Sequence, residues 1–338
     1  MAQPDTSPKA TLIYRCPRLC TGLWWDEYRQ RPLRLQAYTL AGPIGGGPRI
    51  GYSNLGPFLE ALDSSGDPNE TLGEWGGGTN VALDLFFVKG GTQLVVVSTD
   101  GGYDCATTIV YLHDLEWECD RTEALLEPRE VHCLGESRGP EFPDAVHVPN
   151  VGVVVPSEDG RLLANSFDAG RSLTARTQLI DLDAHKVVAE TDGSLLGRVA
   201  ARSFYVAEPI YTEQRHRVRD YVLKEFSEEG VNKVGRAKGT THVVRGSGGR
   251  LFFGGGIYKV DTSQPHYDKP EAQVMDEEFK ALKAGVKPTP PGYVRPLFPC
   301  QILESGPAWQ EPAGTIVVAV EERCGEKNGY ALYRVPKP

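Results

Sequence analysis

The feature that most constrains the fold is the recurrence of short β-rich runs along almost the whole chain. Clusters of Gly, Asp, Asn and Pro separate these runs. Strands of this length at this spacing are typical of all-β sandwiches, barrels and propellers. Clear examples are Thr11–Tyr14, Leu35–Leu40, Ala82–Val88, Thr92–Ser98, Thr107–His113, Val151–Val155, Arg161–Ser166, Thr177–Asp181, Lys186–Glu190, His242–Arg245, Arg250–Gly254, Gly256–Asp261, Thr315–Val320 and Tyr330–Val335.

The order of the runs favours a β-propeller. Consecutive runs with tight turns between them, such as Arg161–Ser166, Thr177–Asp181 and Lys186–Glu190, are typical of one propeller blade. At roughly 40 to 50 residues per blade, the 338 residues predict about six or seven blades in a single domain over residues 1–338. A pair of stacked β-sandwiches is the alternative fold.

Two stretches interrupt the β pattern. Pro270, the spaced apolar residues after it and Gly285 predict a short helix near residues 268–284, and the Pro-rich sequence after it extends this insertion to residue 295. The segment Glu213–Glu229 fits either a helix or a hairpin. In a chain this rich in β runs, the hairpin is favoured.

Charge and composition limit the partners. The formal charge of −9, without a cluster of Lys and Arg, predicts that the chain does not bind nucleic acid. No apolar run reaches the roughly 18 residues of a membrane helix, and the first residues lack the pattern of a secretory signal, so we expect a cytoplasmic protein without a membrane partner. Seven cysteines without a Cys-x-x-Cys pair predict free thiols and no metal site.

Two turns share the pattern Ser-x-Asp-x-Gly: Ser98, Asp100 and Gly102, then Ser166, Asp168 and Gly170. An Asp carboxylate accepts backbone N–H groups in such a turn and Gly supplies the left-handed conformation, so each predicts strand, turn and strand. The turns resemble the Asp-box of sialidases and related propellers, although Cys105 and Leu173 stand where that motif has Trp. The resemblance implies a structural turn remote from the active site.

A second fragment, Tyr14-Arg15-Cys16-Pro17, is similar to the Phe/Tyr-Arg-Ile-Pro motif near the start of sialidases. In that family the Arg is one of three that bind the carboxylate of the substrate. The resemblance therefore implies that Arg15 is a substrate-binding residue. It covers four residues, and Cys16 departs from the expected Ile.

An enzymatic alternative uses Arg15 together with Asp144 and His147. His147 follows Asp144 by three residues in a loop bounded by prolines, and ionisable side chains from several blades can meet in a propeller channel. This alternative predicts a glycoside hydrolase, sialidase-like enzyme or metal-assisted hydrolase or lyase that acts on a carbohydrate or small acidic metabolite. A solvent-facing His at a strand end is the opposing interpretation.

The adjacent Trp24 and Trp25 are the candidate binding residues. On a strand, one ring faces the core and the other faces outward, and exposed Trp is enriched at binding surfaces. The opposing interpretation is that both rings pack. We therefore predict a propeller that binds an unidentified protein, small molecule or glycan without a cofactor, at the central mouth or on a blade face with Trp24 or Trp25.

Overall fold

The computed structural model of the chain describes residues 9–16, 20–36, 39–40, 51–52, 58–62, 68–74, 81–101, 106–115, 122–133, 136–168, 175–211, 218–238, 243–244, 250–253, 256–259, 293–294, 297–311 and 315–335. These residues form strands, turns and one short 3-10 helix at Lys89–Gly91. Among them, no helix has the length and apolar character needed to span a bilayer. The prediction of an all-β fold is confirmed.

The strands, numbered along the chain, form six large sheets in the described residues, and consecutive strands in each sheet are antiparallel with one exception. Sheet 1 is β2–β3–β6–β7, sheet 2 is β8–β9–β10–β11 with β14 added, sheet 3 is β15–β18, sheet 4 is β19–β22, sheet 5 is β23–β26, and sheet 6 is β27–β28–β29–β1. The bounds are β1 Thr11–Arg15, β2 Cys20–Asp26, β3 Arg31–Gln36, β4 Thr39–Leu40, β5 Gly51–Tyr52, β6 Phe58–Leu62, β7 Pro68–Glu74, β8 Val81–Val88, β9 Gln93–Gly101, β10 Ala106–Asp114, β11 Thr122–Pro128, β12 Val131–Cys133, β13 Glu136–Arg138, β14 Val146–Val148, β15 Val153–Pro156, β16 Leu162–Asp168, β17 Ala175–Asp181, β18 Lys186–Asp192, β19 Ser194–Ala200, β20 Ser203–Tyr211, β21 Val218–Ser227, β22 Gly230–Lys238, β23 Val243–Val244, β24 Arg250–Phe253, β25 Gly256–Lys259, β26 Tyr293–Val294, β27 Gln301–Gln310, β28 Ile316–Cys324 and β29 Lys327–Val335. Two small ribbons, β4–β5 and β12–β13, complete the described strands.

The sheets form a ring that both ends of the chain close. Strand β1 pairs antiparallel with β29, so the first described strand completes the last sheet. Strand β2 of sheet 1 contacts β28 and β29 of sheet 6, and β27 contacts β23 and β24 of sheet 5. This arrangement of radially packed antiparallel sheets is a β-propeller.

The core lies between neighbouring sheets, and sheets 1, 2 and 3 each pack against a neighbouring sheet on both faces. Strand β9 shows this best: Val95 and Val97 pack against sheet 3, whereas Leu94 and Val96 pack against sheet 1. All four side chains are buried. A strand covered on both faces reads as a continuous apolar run instead of an alternating one. Similar clusters join sheet 3 to sheet 4 and sheet 6 to sheet 1.

The prediction of six or seven blades is wrong. Among the described residues, five sheets are regular four-stranded antiparallel blades. Sheet 2 departs from this form because the chain returns after β13 and adds β14 parallel to β11. The estimate assumed a constant blade length, but sheet 5 alone extends from Val243 to Val294, with a long connection between β25 and β26.

Other predictions have mixed outcomes. The hairpin predicted in residues 213–229 is confirmed, because β21 and β22 pair antiparallel through a tight turn. Both Ser-x-Asp-x-Gly patterns end a strand that pairs with the next one, β9 with β10 and β16 with β17. The turns themselves, residues 102–105 and 169–174, and the predicted helix near 268–284 lie outside the described residues.

Candidate ligand pocket on the propeller axis

One cavity lies where the first strands of five sheets meet. Its lining comes from Glu27, the residue directly after β2, and from β8, β15, β19 and β27; each of these strands is the first of its sheet. The space open to the centres of water molecules is about 60 Å³. The lining residues are Glu27, Asp84, Leu85, Phe86, Phe87, Val155, Gly197, Arg198, Pro307, Ala308 and Trp309. A cavity shared by the first strands of five sheets lies on the axis of the ring.

Two charges of opposite sign face each other in this pocket. An Nη2 atom of Arg198 lies 3.5 Å from Oε1 of Glu27, and each side chain is about one-fifth exposed. Burial raises the pKa of the Glu27 carboxyl, Arg198 lowers it, and the nearby Glu158 and Asp26 carboxylates raise it further. The net direction is upward, so Arg198 does not fully offset the cost of a carboxylate in this position.

Glu27 is held in place by the residue before it. Asp26 is fully buried at the end of β2, and its Oδ1 atom accepts the backbone N–H groups of Tyr28 at 3.1 Å and Arg29 at 2.9 Å. Its Oδ2 atom pairs with the guanidinium groups of Arg29 and Arg31. An Asp that accepts backbone N–H groups ahead of it fixes a turn. The turn therefore positions the Glu27 side chain at the pocket.

Backbone hydrogen bonds join the loops that follow the first strands of sheets 2, 3 and 4. The N–H of Lys89, just after β8, donates to the carbonyl oxygen of Glu158 at 2.9 Å, and the N–H of Glu158 donates to the carbonyl oxygen of Ala201 at 2.9 Å. Arg29 also donates to the carbonyl oxygen of Gly91 at 3.1 Å. Because the connecting loops are tied to one another, the pocket residues sit on a rigid frame.

Apolar side chains surround the charged groups of the pocket. Phe87 and Val155 are buried, and Phe86 and Trp309 are half-buried beside them. A few charged groups in a largely apolar concave site are typical of ligand pockets. Arg198 has five N–H donors. Within the described residues, its side chain makes a single hydrogen bond, the long one to Glu27.

The predicted substrate-binding residue Arg15 lies away from this pocket. It is on β1, the outermost strand of sheet 6, where its Nε donates to Glu322 Oε1 at 2.7 Å. Its Nη2 atom is 3.3 Å from the hydroxyl of Tyr333, and that hydroxyl donates to the other Glu322 oxygen at 2.6 Å. Burial is the main cause that raises the pKa of Tyr333 to about 12. Arg15 thus contacts a buried network that joins three strands.

Asp144 and His147 lie on the outer edge of sheet 2. Asp144 is exposed in the loop before β14, and His147 is within β14. The His147 Nδ1 atom is 3.9 Å from Oε2 of buried Glu127, whose two oxygens accept the backbone N–H groups of Glu141 and Phe142. Asp144 and His147 lie at the outer edge of sheet 2 and Arg15 lies at the outer edge of sheet 6, and none of the three lines the pocket. Their catalytic roles stay predictions.

Both candidate binding tryptophans are buried. Trp24 is 7% exposed and packs with the cluster between sheets 1 and 2, whereas Trp25 is 2% exposed and packs between sheets 1 and 6. The expectation that one ring faces solvent is wrong, because a sheet is covered on both faces in this fold. The opposing interpretation, that both rings pack, describes them. A binding role for Trp24 and Trp25 stays a prediction.

The expectation of free thiols is wrong for three cysteines. Cys300 and Cys324 form a disulfide with their Cα atoms 5.1 Å apart, and Cys16 is also disulfide-bonded. The pairing of Gln301 with Arg323 places Cys300 next to Cys324 across two strands, a register that the spacing of the cysteines does not reveal. The sulfur atoms and a Glu322 oxygen lie within 4.8 Å of one another. Disulfide sulfurs are not thiolates, so this set does not suit a metal ion.

The sequence did not reveal the pocket residues Asp84, Arg198 and Trp309. Of the pocket residues, only Glu27 lies next to a candidate site from the sequence, because it follows the two candidate tryptophans and Asp26 directly. Glu27 and Arg198 are separated by 171 residues. No local spacing pattern could have paired them, because ring closure brings their strands together.

No protein-family profile and no curated protein matches the chain. Solved structures similar to it include TolB from Acinetobacter baumannii, at 11% identity and a TM-score of 0.43, where the match covers 83% of this chain and 60% of TolB. The β-propeller domain of the Trilobed protease from Pyrococcus furiosus is 12% identical, with a TM-score of 0.47 and coverage of 97% and 81%. The α-L-arabinanase of Penicillium chrysogenum is 10% identical, with a TM-score of 0.43 and coverage of 97% and 98%. The chain thus spans about 60% of the TolB length, and its assignment as a β-propeller rests on its own sheet topology.

Proposed function

We propose that the chain is a propeller binding module that takes a small ligand in the axial pocket. The observation that carries this proposal is the Glu27–Arg198 pair, which is held in a largely apolar cavity shared by five sheets. Half-buried charges on a rigid frame recognise a ligand without first having to be ordered. Of the two surfaces expected from the sequence, the central mouth is favoured over a face with Trp24 or Trp25, whose rings are buried.

A propeller enzyme is the second candidate, and one observation favours it. Glu27 and Asp84 line the same pocket, and the pKa of Glu27 is raised. A carboxyl group of raised pKa beside a second carboxylate suits general acid and base chemistry, as in glycoside hydrolysis. For this reason Glu27 and Asp84 are better candidates for the catalytic residues of a carbohydrate-active enzyme than Arg15, Asp144 and His147.

We further propose that residues 1–338 form one domain. The support is that β1 pairs with β29, so the first and last described strands belong to one sheet. The predicted insertion, residues 268–295, then begins in the connection between β25 and β26 and overlaps β26 at its end.

The disulfide bonds indicate in which kind of cellular compartment the protein is located. Structural disulfides form mainly in oxidising compartments and are rare in the cytosol. The pairing of Cys300 with Cys324 therefore favours an oxidising compartment over the cytoplasm that the sequence indicated.

The binding function is tested with ligand-observed NMR. The probe is a pool of amino acids, short oligosaccharides, dicarboxylic acids and nucleotides, added to the wild type and to Ala308→Phe, which adds a ring to the pocket wall. Val187→Phe is the control, since Val187 is 41% exposed on the outer strand β18. We expect at least one probe to bind the wild type and the control but not Ala308→Phe. No binding by any probe, or equal binding by all three proteins, would refute the proposal.

Turnover separates the two candidates. If Glu27 acts as a general acid, the wild type releases reducing sugar from an oligosaccharide that binds, and Glu27→Gln does not. Binding without turnover supports the binding module and rejects the enzyme.

A further inference from the structure

The ion pair between Arg198 and Glu27 in the pocket has a long contact distance, and this restricts the class of ligand that the pocket can bind. The inference rests on the proposed function. The Arg198–Glu27 contact is 3.5 Å, similar to the contacts of Arg29 and Arg31 with Asp26 at 3.4 and 3.3 Å. It is longer than the contacts Arg15–Glu322, Lys224–Glu208 and Arg334–Glu311, which are each 2.7 Å. Strong charge-assisted hydrogen bonds are about 2.7–2.9 Å long. The two pocket charges are therefore near each other without being firmly bonded.

The sign of the two charges restricts the ligand. A ligand with only a negative group would occupy Arg198 and leave the Glu27 carboxylate partly buried without its partner. A ligand with only a positive group would do the same to Arg198. Removing one partner of a buried pair is costly, because the other charge is left uncompensated. A ligand that carries both charges can pair its negative group with Arg198 and its positive group with Glu27, so that neither pocket charge is left without a partner.

The size of the pocket restricts the distance between those two charges. About 60 Å³ is open to water centres, and one water needs roughly 10–15 Å³ measured in this way, so the pocket has room for about four to six waters. The α-ammonium carboxylate group has an N atom, a Cα atom, a carboxyl C atom and two O atoms. Such a head group matches this space, and an attached side chain would lie towards the open mouth or along the apolar wall.

We propose that the axial pocket binds a free α-amino acid in its zwitterionic form. Its carboxylate pairs with the guanidinium of Arg198, and its ammonium pairs with the carboxylate of Glu27. The guanidinium fork matches a carboxylate through two parallel hydrogen bonds. Phe86 and Trp309 supply apolar surface for the ligand side chain.

The test begins with the twenty proteinogenic amino acids as the probe pool in saturation-transfer NMR. The best binder is then compared by calorimetry with its N-acetyl derivative, which lacks the ammonium, and with its amide, which lacks the carboxylate. We expect each derivative to bind the wild type at least tenfold more weakly than the parent. Equal binding of parent and derivatives would overturn the proposal.

Variants identify the groups in contact. We expect Arg198→Met to abolish binding of the parent amino acid and Glu27→Gln to weaken it at least tenfold. Arg202→Met is the matched control, because Arg202 pairs with Asp159 and Glu228 and does not line the pocket, and it should keep the wild-type affinity. If Arg198→Met does not fold, Arg198→Lys keeps the charge but loses the fork and should bind about tenfold more weakly. Wild-type affinity in Arg198→Lys and Glu27→Gln would refute the assignment.

Failure of this inference is distinguishable from failure of the binding function. If no amino acid binds but an oligosaccharide, dicarboxylate or nucleotide binds and is blocked by Ala308→Phe, the zwitterion is wrong and the pocket function stands. If nothing binds the wild type, both proposals fail.

Discussion

Replacing Arg198 by Met should destabilise the protein in a pH-dependent way. At 3.5 Å the attraction to Glu27 is about 5 kcal/mol for an effective dielectric constant near 20, and desolvation of the two groups offsets much of it. Fully buried pairs lose about 3–5 kcal/mol when one partner is removed, and exposed pairs contribute about 0.2–1 kcal/mol. Because each side chain is about one-fifth exposed, we expect Arg198→Met to cost about 2 kcal/mol at pH 7.

The pH dependence follows from the raised pKa of Glu27. The pKa of the Glu27 carboxyl is higher in the folded state than its ordinary value of about 4.5. The folded protein therefore loses stability as the pH rises from the pKa of the unfolded state to that of the folded state. Without Arg198 the pKa of Glu27 rises further, so the loss of stability in Arg198→Met should be smaller at pH 4.5 than at pH 7, because a larger fraction of Glu27 is protonated at the lower pH. Glu27→Gln should remove most of this difference.

Urea unfolding of the wild type, Arg198→Met, Glu27→Gln and the double variant at pH 4.5 and pH 7 measures the effect. The expected result is a coupling between the two sites of about 1–2 kcal/mol at pH 7 that is smaller at pH 4.5. A cost of Arg198→Met that is equal at both pH values, or a coupling near zero at pH 7, would show that the pair is not electrostatically linked in the folded protein.

Three further predictions concern the frame. Tyr333→Phe should cost about 1.5–3 kcal/mol of unfolding free energy, since it removes a hydrogen bond to a buried carboxylate. Because the pKa of Tyr333 is raised to about 12, the wild type should lose stability between pH 10 and 12. A urea titration in which Tyr333→Phe loses as much stability over this range would contradict this. Gly152→Ala should cost about 2 kcal/mol or more by thermal unfolding, because its Cβ would meet the carbonyl oxygen of Ser166, and an unchanged midpoint would be against it. Replacing Cys300 and Cys324 by Ser should cost about 3 kcal/mol for a bridge of sequence separation 24, and alkylation of both thiols in the unreduced native protein would disprove the bridge.

The strands could be predicted because their signal is local. Runs such as Thr92–Ser98 and Thr107–His113 are rich in β-branched residues and bounded by turn residues, and both lie largely within strands of sheet 2. The hairpin of β21 and β22 could be preferred over a helix only because the rest of the chain is β-rich. The parallel strand β14 could not be predicted, since nothing near Val146–Val148 indicates which strand it joins.

The orientation of Trp24 and Trp25 could be predicted only in part. Strand alternation correctly sends the two rings to opposite faces of β2. It gave the wrong exposure for one of them because a neighbouring sheet covers each face, which is a property of the whole ring. The disulfide between Cys300 and Cys324 and the pocket pair Glu27–Arg198 depend in the same way on tertiary arrangement, which leaves no spacing pattern in the sequence.

A crystal structure of the protein soaked with the tightest-binding probe from the NMR pool would decide whether the axial pocket is the ligand site. We expect density for the probe between Arg198 and Glu27, with their side chains separated further than 3.5 Å and each bonded to the ligand. Density for the probe at the outer edge of sheet 6 or sheet 2, with the pocket pair unchanged, would contradict the proposed function.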